Sequence, residues 1–362
     1  MVASSPAEAI AGQYVLHPGR SPAITGQRPI LAPGCLTGLL QGHDLPRLLR
    51  SLGSLFTLCA HAHQHCAQQA YAAALTQEPQ ASPYQNRAWL TARDHLRSVA
   101  LDWPARLQPH QRPDLSWLQG CPMGLGAVVP QDASAATQQM RALAHWLETT
   151  LLHEPLDDWL QRCASDAGLL DWCQRQHSRC APARALLHAE PLRDLPAVPL
   201  QPLPAGDTQA LQALAHALWN DADFCQHPTW QGHCAETGPW IRWRHATATA
   251  RSPWMRLASR LRELVELAAD AIAGQPTLLA QGALLLAPGR GVAWCEMARG
   301  LLLHSVQLDA QGRVQDYRVL APTEWNFHPE GSLGQAVASL APDDRDSARL
   351  LAAAFDPCVA CL

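Results

Sequence analysis

The sequence predicts a mainly helical fold with a smaller β portion, an α+β chain whose residues 1–362 form one unit. Three observations lead there. Apolar residues recur at helical spacing over long stretches, most strongly Pro253–Ala273. Strand-like runs are few and close together, at Ala283–Leu286, Leu301–Leu308 and Val314–Leu320. Hydrophobic residues make up 48% of the chain and charged residues only 16%, enough apolar matter for a sizeable core.

In chain order, residues 1–42 are rich in Gly and Pro and read as loops with short strands. A helix is expected from Asp44 to Leu75, with Asp44 as N-cap and Pro46 in the first turn. A second covers Asn86 to Asp102, and residues 104–132 are irregular. Helical patterns resume at 134–152 and 154–175. A proline-rich connection near 188–206 joins the two halves without marking a domain boundary. A helix at 207–220 leads into Cys225-Gln-His-Pro-Thr-Trp-Gln-Gly-His-Cys234, whose spacing matches no standard zinc finger. After helix 253–273, two strand runs flank Gly289–Gly300, and the second pairs with Val314–Leu320 across Asp309-Ala-Gln-Gly312.

The net charge is −4, all basic residues are arginine, and no basic stripe is visible, which excludes nucleic acid as the main partner. No apolar run reaches membrane-spanning length, and Met1–Glu8 has no basic region followed by an apolar run. A cytoplasmic protein is expected, with most of its twelve cysteines reduced and a few serving as ligands.

Chemistry concentrates in two places. The tail, Phe355-Asp-Pro-Cys-Val-Ala-Cys-Leu362, carries Cys358 and Cys361 at a spacing that lets two thiolates reach one metal or close a redox ring. Pro357 favours an extended Asp356 before the first sulfur. In Thr57-Leu-Cys-Ala-His-Ala-His-Gln-His-Cys66, a helix would put Cys59, His63 and Cys66 on one face. That face suits a metal, or equally a row of buried thiols.

Four stretches together resemble nickel–iron hydrogenase large subunits. Gly291-Val-Ala-Trp-Cys-Glu-Met-Ala-Arg-Gly-Leu-Leu-Leu-His304 is similar to their Glu-Ala-Pro-Arg-Gly…His segment. Tyr317-Arg-Val-Leu-Ala-Pro-Thr-Glu-Trp-Asn326 is similar to Tyr-x-x-Val-x-Pro-Thr-Thr-Trp-Asn. Glu236-Thr-Gly-Pro-Trp-Ile-Arg242 is similar to Glu-Val-Gly-Pro-Leu-Ala-Arg, and the tail to Asp-Pro-Cys-x-x-Cys. Asp94-His95, Leu101-Asp102-Trp103 and the Cys59 region add weaker matches. The resemblance implies a reduced large-subunit fold. It also implies a site in which thiolates hold nickel and an iron with two cyanides and one carbon monoxide. By motif position Cys358, Cys361 and Cys59 match three of the four thiolates; the fourth falls at Ala62. Arg299 and Thr323, the latter beside Pro322, match residues that donate hydrogen bonds to the cyanides. Asp356 and Asp94 match acids that flank that arginine.

The departures decide the expected function. Thr57 replaces an arginine, Glu324 a threonine, and the family's N-terminal relay glutamate is not recognisable. A subgroup with these properties is the HupK/HoxV type of accessory protein. The resemblance therefore implies a non-enzymatic cytoplasmic scaffold on which Fe(CN)2CO is held, without nickel, and passed on. The implied partners are a HypC-like hydrogenase maturation chaperone and the apo large subunit, with no nucleic acid and no membrane. His63 or Cys66 stand in reserve as ligands. The rivals are a divergent nickel-bearing large subunit and a metal-free pseudo-subunit that binds chaperones.

Overall fold

The structure, a computed structural model, describes residues 11–77, 86–109, 111–124, 126–196, 202–243, 252–275 and 279–362. Within the proline-rich connection, residues 197–201 lie outside that set. Helices dominate and two small sheets accompany them, as the periodicities predict. No helix among the described residues is long and apolar enough to cross a membrane.

Strands β1 (Gln13–Leu16) and β2 (Ile24–Gln27) form an antiparallel pair. The segment expected as one helix from Asp44 is two. Helix α1 (Leu45–Leu55) starts as expected, with Asp44 accepting from the Arg47 amide at 3.1 Å. It stops at Phe56, a 3₁₀ turn runs over Thr57–Cys59, and α2 (Ala60–Ala74) begins afresh. Cys59 is thus the residue before α2, not part of its face. Helix α3 (Arg87–Arg97) continues into a π-helical turn at Ser98–Asp102, matching the expected span. The pattern at 154–175 is split into Leu156–Arg162 and Asp166–Gln176, because Ser165 caps the second piece.

Helix α4 (Pro253–Ala273) has the predicted bounds, with Ser252 as N-cap, Pro253 at the first position and Gly274 at φ +66 after its end. Its polar stripe does not face water. Arg256, Arg260, Arg262 and Glu263 are all buried, because the surrounding helices pack on every side of it. Each charge has a partner. Arg256 makes two bonds to Glu236 at 2.8 and 2.9 Å, and Glu263 accepts from Arg242 at 2.7 and 2.8 Å and contacts His95 at 2.6 Å.

Four strands form an antiparallel meander: β3 (Gln281–Ala287), β4 (Arg290–Met297), β5 (Gly300–Leu308) and β6 (Val314–Leu320). Strand β4 corrects the sequence reading, which left 289–300 outside the sheet. It is buried along nearly its whole length, with α2 packed against it, so its residues show no clean alternation. Met297 pairs with Gly300, leaving Ala298-Arg299 as a two-residue hairpin turn. A side chain at residue 300 is sterically forbidden: φ is +128, and a Cβ would sit 2.7 Å from the Thr237 side chain. Thr237 occupies that space because its hydroxyl accepts from the Leu301 amide at 2.8 Å.

After β6 comes the short helix α5 (Pro322–Asn326), then α6 (Arg345–Ala354) and the tail. The tail ends as β7 (Ala360–Cys361), parallel to β1, with Tyr14 opposite Cys361.

Gly300→Ala should lower stability by about 1–3 kcal/mol, from strained φ and overlap with Thr237. Gly206→Ala, where nothing lies within 4 Å, should stay within about 0.5 kcal/mol of wild type. Thermal unfolding followed by circular dichroism checks both.

Candidate metal centre

Cys358 leaves α6 through a sharp bend. Asp356 adopts φ +47, a left-handed value that costs a non-glycine residue about 1–3 kcal/mol. Three arginines hold it there. Arg106 meets one carboxylate oxygen at 2.9 Å; Arg299 and Arg260 meet the other at 3.2 and 3.3 Å. Arg106 also donates to the Pro357 carbonyl at 2.6 Å, and Arg260 to the Ala354 carbonyl at 3.1 Å. Burial alone would raise the Asp356 pKa, but Arg299, Arg260 and Arg106 outweigh it and hold the carboxyl well below the usual carboxylate range.

This bend brings Cys358 against Cys59. The Cys59 thiol donates to the Cys358 sulfur, which lowers the Cys358 pKa against the cost of burial. Arg299, Arg28 and the Thr323 hydroxyl push the same way. Cys358 is therefore the more acidic sulfur of the pair, with Cys59 raised well above its ordinary value. Beside it lies a small cavity of about 30 Å³, bordered by Arg28, Cys59, Ala62, His63, Asp94, Met297, Ala298, Arg299, Gly300, Leu302, Ala321, Pro322 and Cys358.

The structure thus gathers most of the residues singled out by sequence: Cys358, Cys59, Arg299, Pro322, Asp94 and His63 border one cavity. Thr323 sits behind Cys358, its hydroxyl on the sulfur. Asp94 borders the cavity, where burial raises its carboxyl to about 6 against the pull of Arg299. The closer partner of Arg299 on that side is Asp102, at 3.3 Å. His63 stacks on Phe56 with ring centroids 3.8 Å apart. Its Nδ1 lies 2.9 Å from His304 Nε2, and His304 Nδ1 lies 2.5 Å from the Tyr317 hydroxyl. Burial lowers the pKa of both rings, so they are neutral near pH 7. If His63 Nδ1 donates to His304, its Nε2 keeps a lone pair for a metal.

Two residues are placed elsewhere. Cys66 points into the sheet, where its thiol donates to the Ala293 carbonyl at 3.1 Å and neighbours Cys295. Two turns of α2 separate it from Cys59, which lies outside the helix, so the expected common face does not form. Cys361 does not border the cavity. With Cys358 it lines a larger cleft of about 1010 Å³ that Leu58, Arg106 and Arg349 also border. Burial pushes its thiol up to about 12. In the Cys225–Cys234 stretch, Cys225 is buried and Cys234 contacts His328 Nδ1 at 3.0 Å.

Sequence reasoning missed Arg28. It is buried, borders the cavity, and reaches Glu324 at 3.4 Å. The one signal available was Glu324 itself, an acid in an apolar stretch that demands a cation. Burial raises Glu324 to about 7 although Arg28 lowers it.

Among the described residues, no three or more His, Cys, Asp or Glu side chains converge as a metal-binding cluster. Two paired sulfurs do not close a four-ligand site. They fit a soft metal that arrives with ligands of its own, and buried guanidinium donors fit ligands that are anionic.

Asp356→Asn leaves two buried guanidiniums and the half-buried Arg106 short of their counter-charge and should cost about 3–5 kcal/mol. The native carboxyl titrates below the unfolded one, so its stabilisation is complete above about pH 4 and fades as pH falls through the native value. Melting temperature below pH 4 should therefore fall more steeply for wild type than for the variant.

The sequence profile of the nickel-dependent hydrogenases matches residues 244–362. The chain is 39% identical to the hydrogenase expression/formation protein HoxV of Cupriavidus necator, over 98% of this chain and 95% of that one. It is 31% identical to the hydrogenase expression/formation protein HupK of Bradyrhizobium diazoefficiens, over 90% and 88%. The fold is similar to the [NiFeSe]-hydrogenase of Dm. baculatum, with TM-score 0.50 and 13% identity over 92% of this chain and 93% of that one. The chain belongs to the HoxV/HupK family of hydrogenase expression/formation proteins, built on the fold of hydrogenase large subunits.

Proposed function

We propose that this protein is a non-catalytic cytoplasmic carrier for the Fe(CN)2CO part of the nickel–iron active site. It receives the unit from a HypC-like hydrogenase maturation chaperone and hands it to the apo large subunit. The observation that carries the reading is the Cys59–Cys358 sulfur pair beside Arg299, with Ala62 on the same cavity wall where a further thiolate is expected. The iron unit brings three ligands and needs few from the protein. Cys358 and Cys59 are the first sulfurs it meets inside the cavity. Cys361, in the cleft it shares with Cys358, stands ready as a third donor on the side of entry. Arg299 serves the cyanide nitrogens as a charged donor, and Thr323 steadies Cys358. Nickel has no complete set of thiolates here, so turnover of hydrogen is not expected.

Ala62 gives the carrier its release. A held unit lacks one thiolate, and affinity differences among related complexes lie mostly in the off-rate. Ala62→Cys should therefore retain the unit longer and deliver it more slowly to the apo large subunit. Transfer of the infrared-labelled unit, followed over time, measures this. Equal or faster delivery would contradict the weak grip and point to His63 as already filling the position. In the same assay Cys358→Ser and Cys59→Ser should lose the cyanide and carbonyl bands. Unchanged bands in both would sink the ligand assignment.

A further inference from the structure

Arg28 and Glu324 are buried next to the thiol pair, yet no family-matched motif includes Arg28, and Glu324 stands where the family has threonine. Their pairing is loose. Arg28 NH1 reaches Glu324 Oε1 at 3.4 Å, and the Tyr14 hydroxyl lies 3.5 Å from the same oxygen. The Arg28 Nε–H has no hydrogen-bond partner although it is buried, and Arg28 as a whole is only 5% exposed. The Nε–H groups of Arg260 and Arg299 are likewise unpartnered, but both guanidiniums are held by the Asp356 carboxylate at 3.3 and 3.2 Å, and Arg256 grips Glu236 through two bonds of 2.8 and 2.9 Å; the Arg28 ion pair is looser than any of these. An unpartnered buried donor costs about 1–3 kcal/mol, so one that persists on a cavity wall calls for an acceptor. The Arg28 guanidinium also faces the Phe56 ring, its carbon 6.0 Å from the centroid, and its charge acts on both Cys59 and Cys358. Two guanidiniums from different elements, Arg28 and Arg299, therefore border one cavity together with Cys59 and Cys358.

We infer that Arg28 is a second anion-binding group of this cavity, donating to an anionic ligand of the carried iron unit, with Glu324 as the internal carboxylate that competes for it. The inference rests on the carrier reading above. It adds a release device: the cargo's anionic ligand and the Glu324 carboxylate exchange on one guanidinium, so binding is partly offset by a displaced ion pair. A closed active site would gain nothing from such competition; a carrier gains an outlet.

The test uses whole protein purified without air from cells making the full maturation machinery. Arg28→Gln and Glu324→Gln are compared with wild type by infrared band position, rate of band loss and thermal unfolding. Removing a charge-assisted donor should speed loss of the unit by at least about tenfold and shift the cyanide stretches in Arg28→Gln. Glu324→Gln, which leaves Arg28 unopposed, should hold the unit longer than wild type. Opposite signs in the two variants are the expected signature. Wild-type bands and wild-type loss in Arg28→Gln would overturn the inference. So would equal acceleration in both variants with a lowered melting temperature, which marks a structural ion pair. If Arg28→Gln does not fold, Arg28→Lys replaces it; unshifted bands and unchanged loss there overturn the inference equally. Wild type without any diatomic bands would overturn the carrier reading, and this inference with it, whereas banded wild type with unaffected variants overturns the inference alone.

Discussion

One carboxylate, Asp356, organises the site. It takes charge from Arg106, Arg260 and Arg299, which arrive from three different parts of the chain. Arg106 comes from the short helix after α3, Arg260 from the middle of α4, and Arg299 from the β4–β5 hairpin turn. The same contact that holds Asp356 at a left-handed φ sets where the chain goes next, and Cys358 is two residues on. Desolvating so many charges together is costly, and such clusters seldom raise stability over an apolar core. Here the cluster fixes geometry. It ties the central helix, the sheet and the tail to one point, beside the two sulfurs.

The secondary level rests on the same point. Gly300 lets the hairpin turn close against Thr237, so that Arg299 is delivered from a rigid two-residue turn. Asn326 bonds the Thr237 backbone in both directions, at 3.0 and 2.9 Å, which locks α5 and its Thr323 to the same hairpin. The motif segments at 236–242, 291–304 and 317–326 are thus one joined frame, and most of their residues shape the cavity without touching it.

Much of this was legible in sequence, for physical reasons. Proline, glycine and caps mark the bounds of α4, and the tail, Arg299 and Pro322 carry their meaning in short motifs. What was not legible depends on tertiary contact. Periodicity runs straight through Phe56, so the break before α2 left no trace, and the common face of Cys59, His63 and Cys66 could not be judged. Strand β4 is covered on both faces and lacks alternation. Asp102, at the end of the π-helical turn that follows α3, meets Arg299 closely rather than Asp94. Arg28 and Glu324 lie 296 residues apart, and only the fold reveals that they are a pair. Two departures from the large-subunit pattern lie at the site: Ala62 on the cavity wall, and Glu324 against Arg28, which borders the cavity.

The central claim is that the cavity carries iron with its diatomic ligands and no nickel. The most direct measurement is one infrared spectrum, with metal analysis, of the wild-type protein purified without air from cells making the whole maturation machinery. The account predicts cyanide and carbonyl stretches, iron at up to one per chain, and nickel far below that. Stoichiometric nickel with hydrogen-dependent dye reduction, or a spectrum empty of diatomic bands, would contradict it.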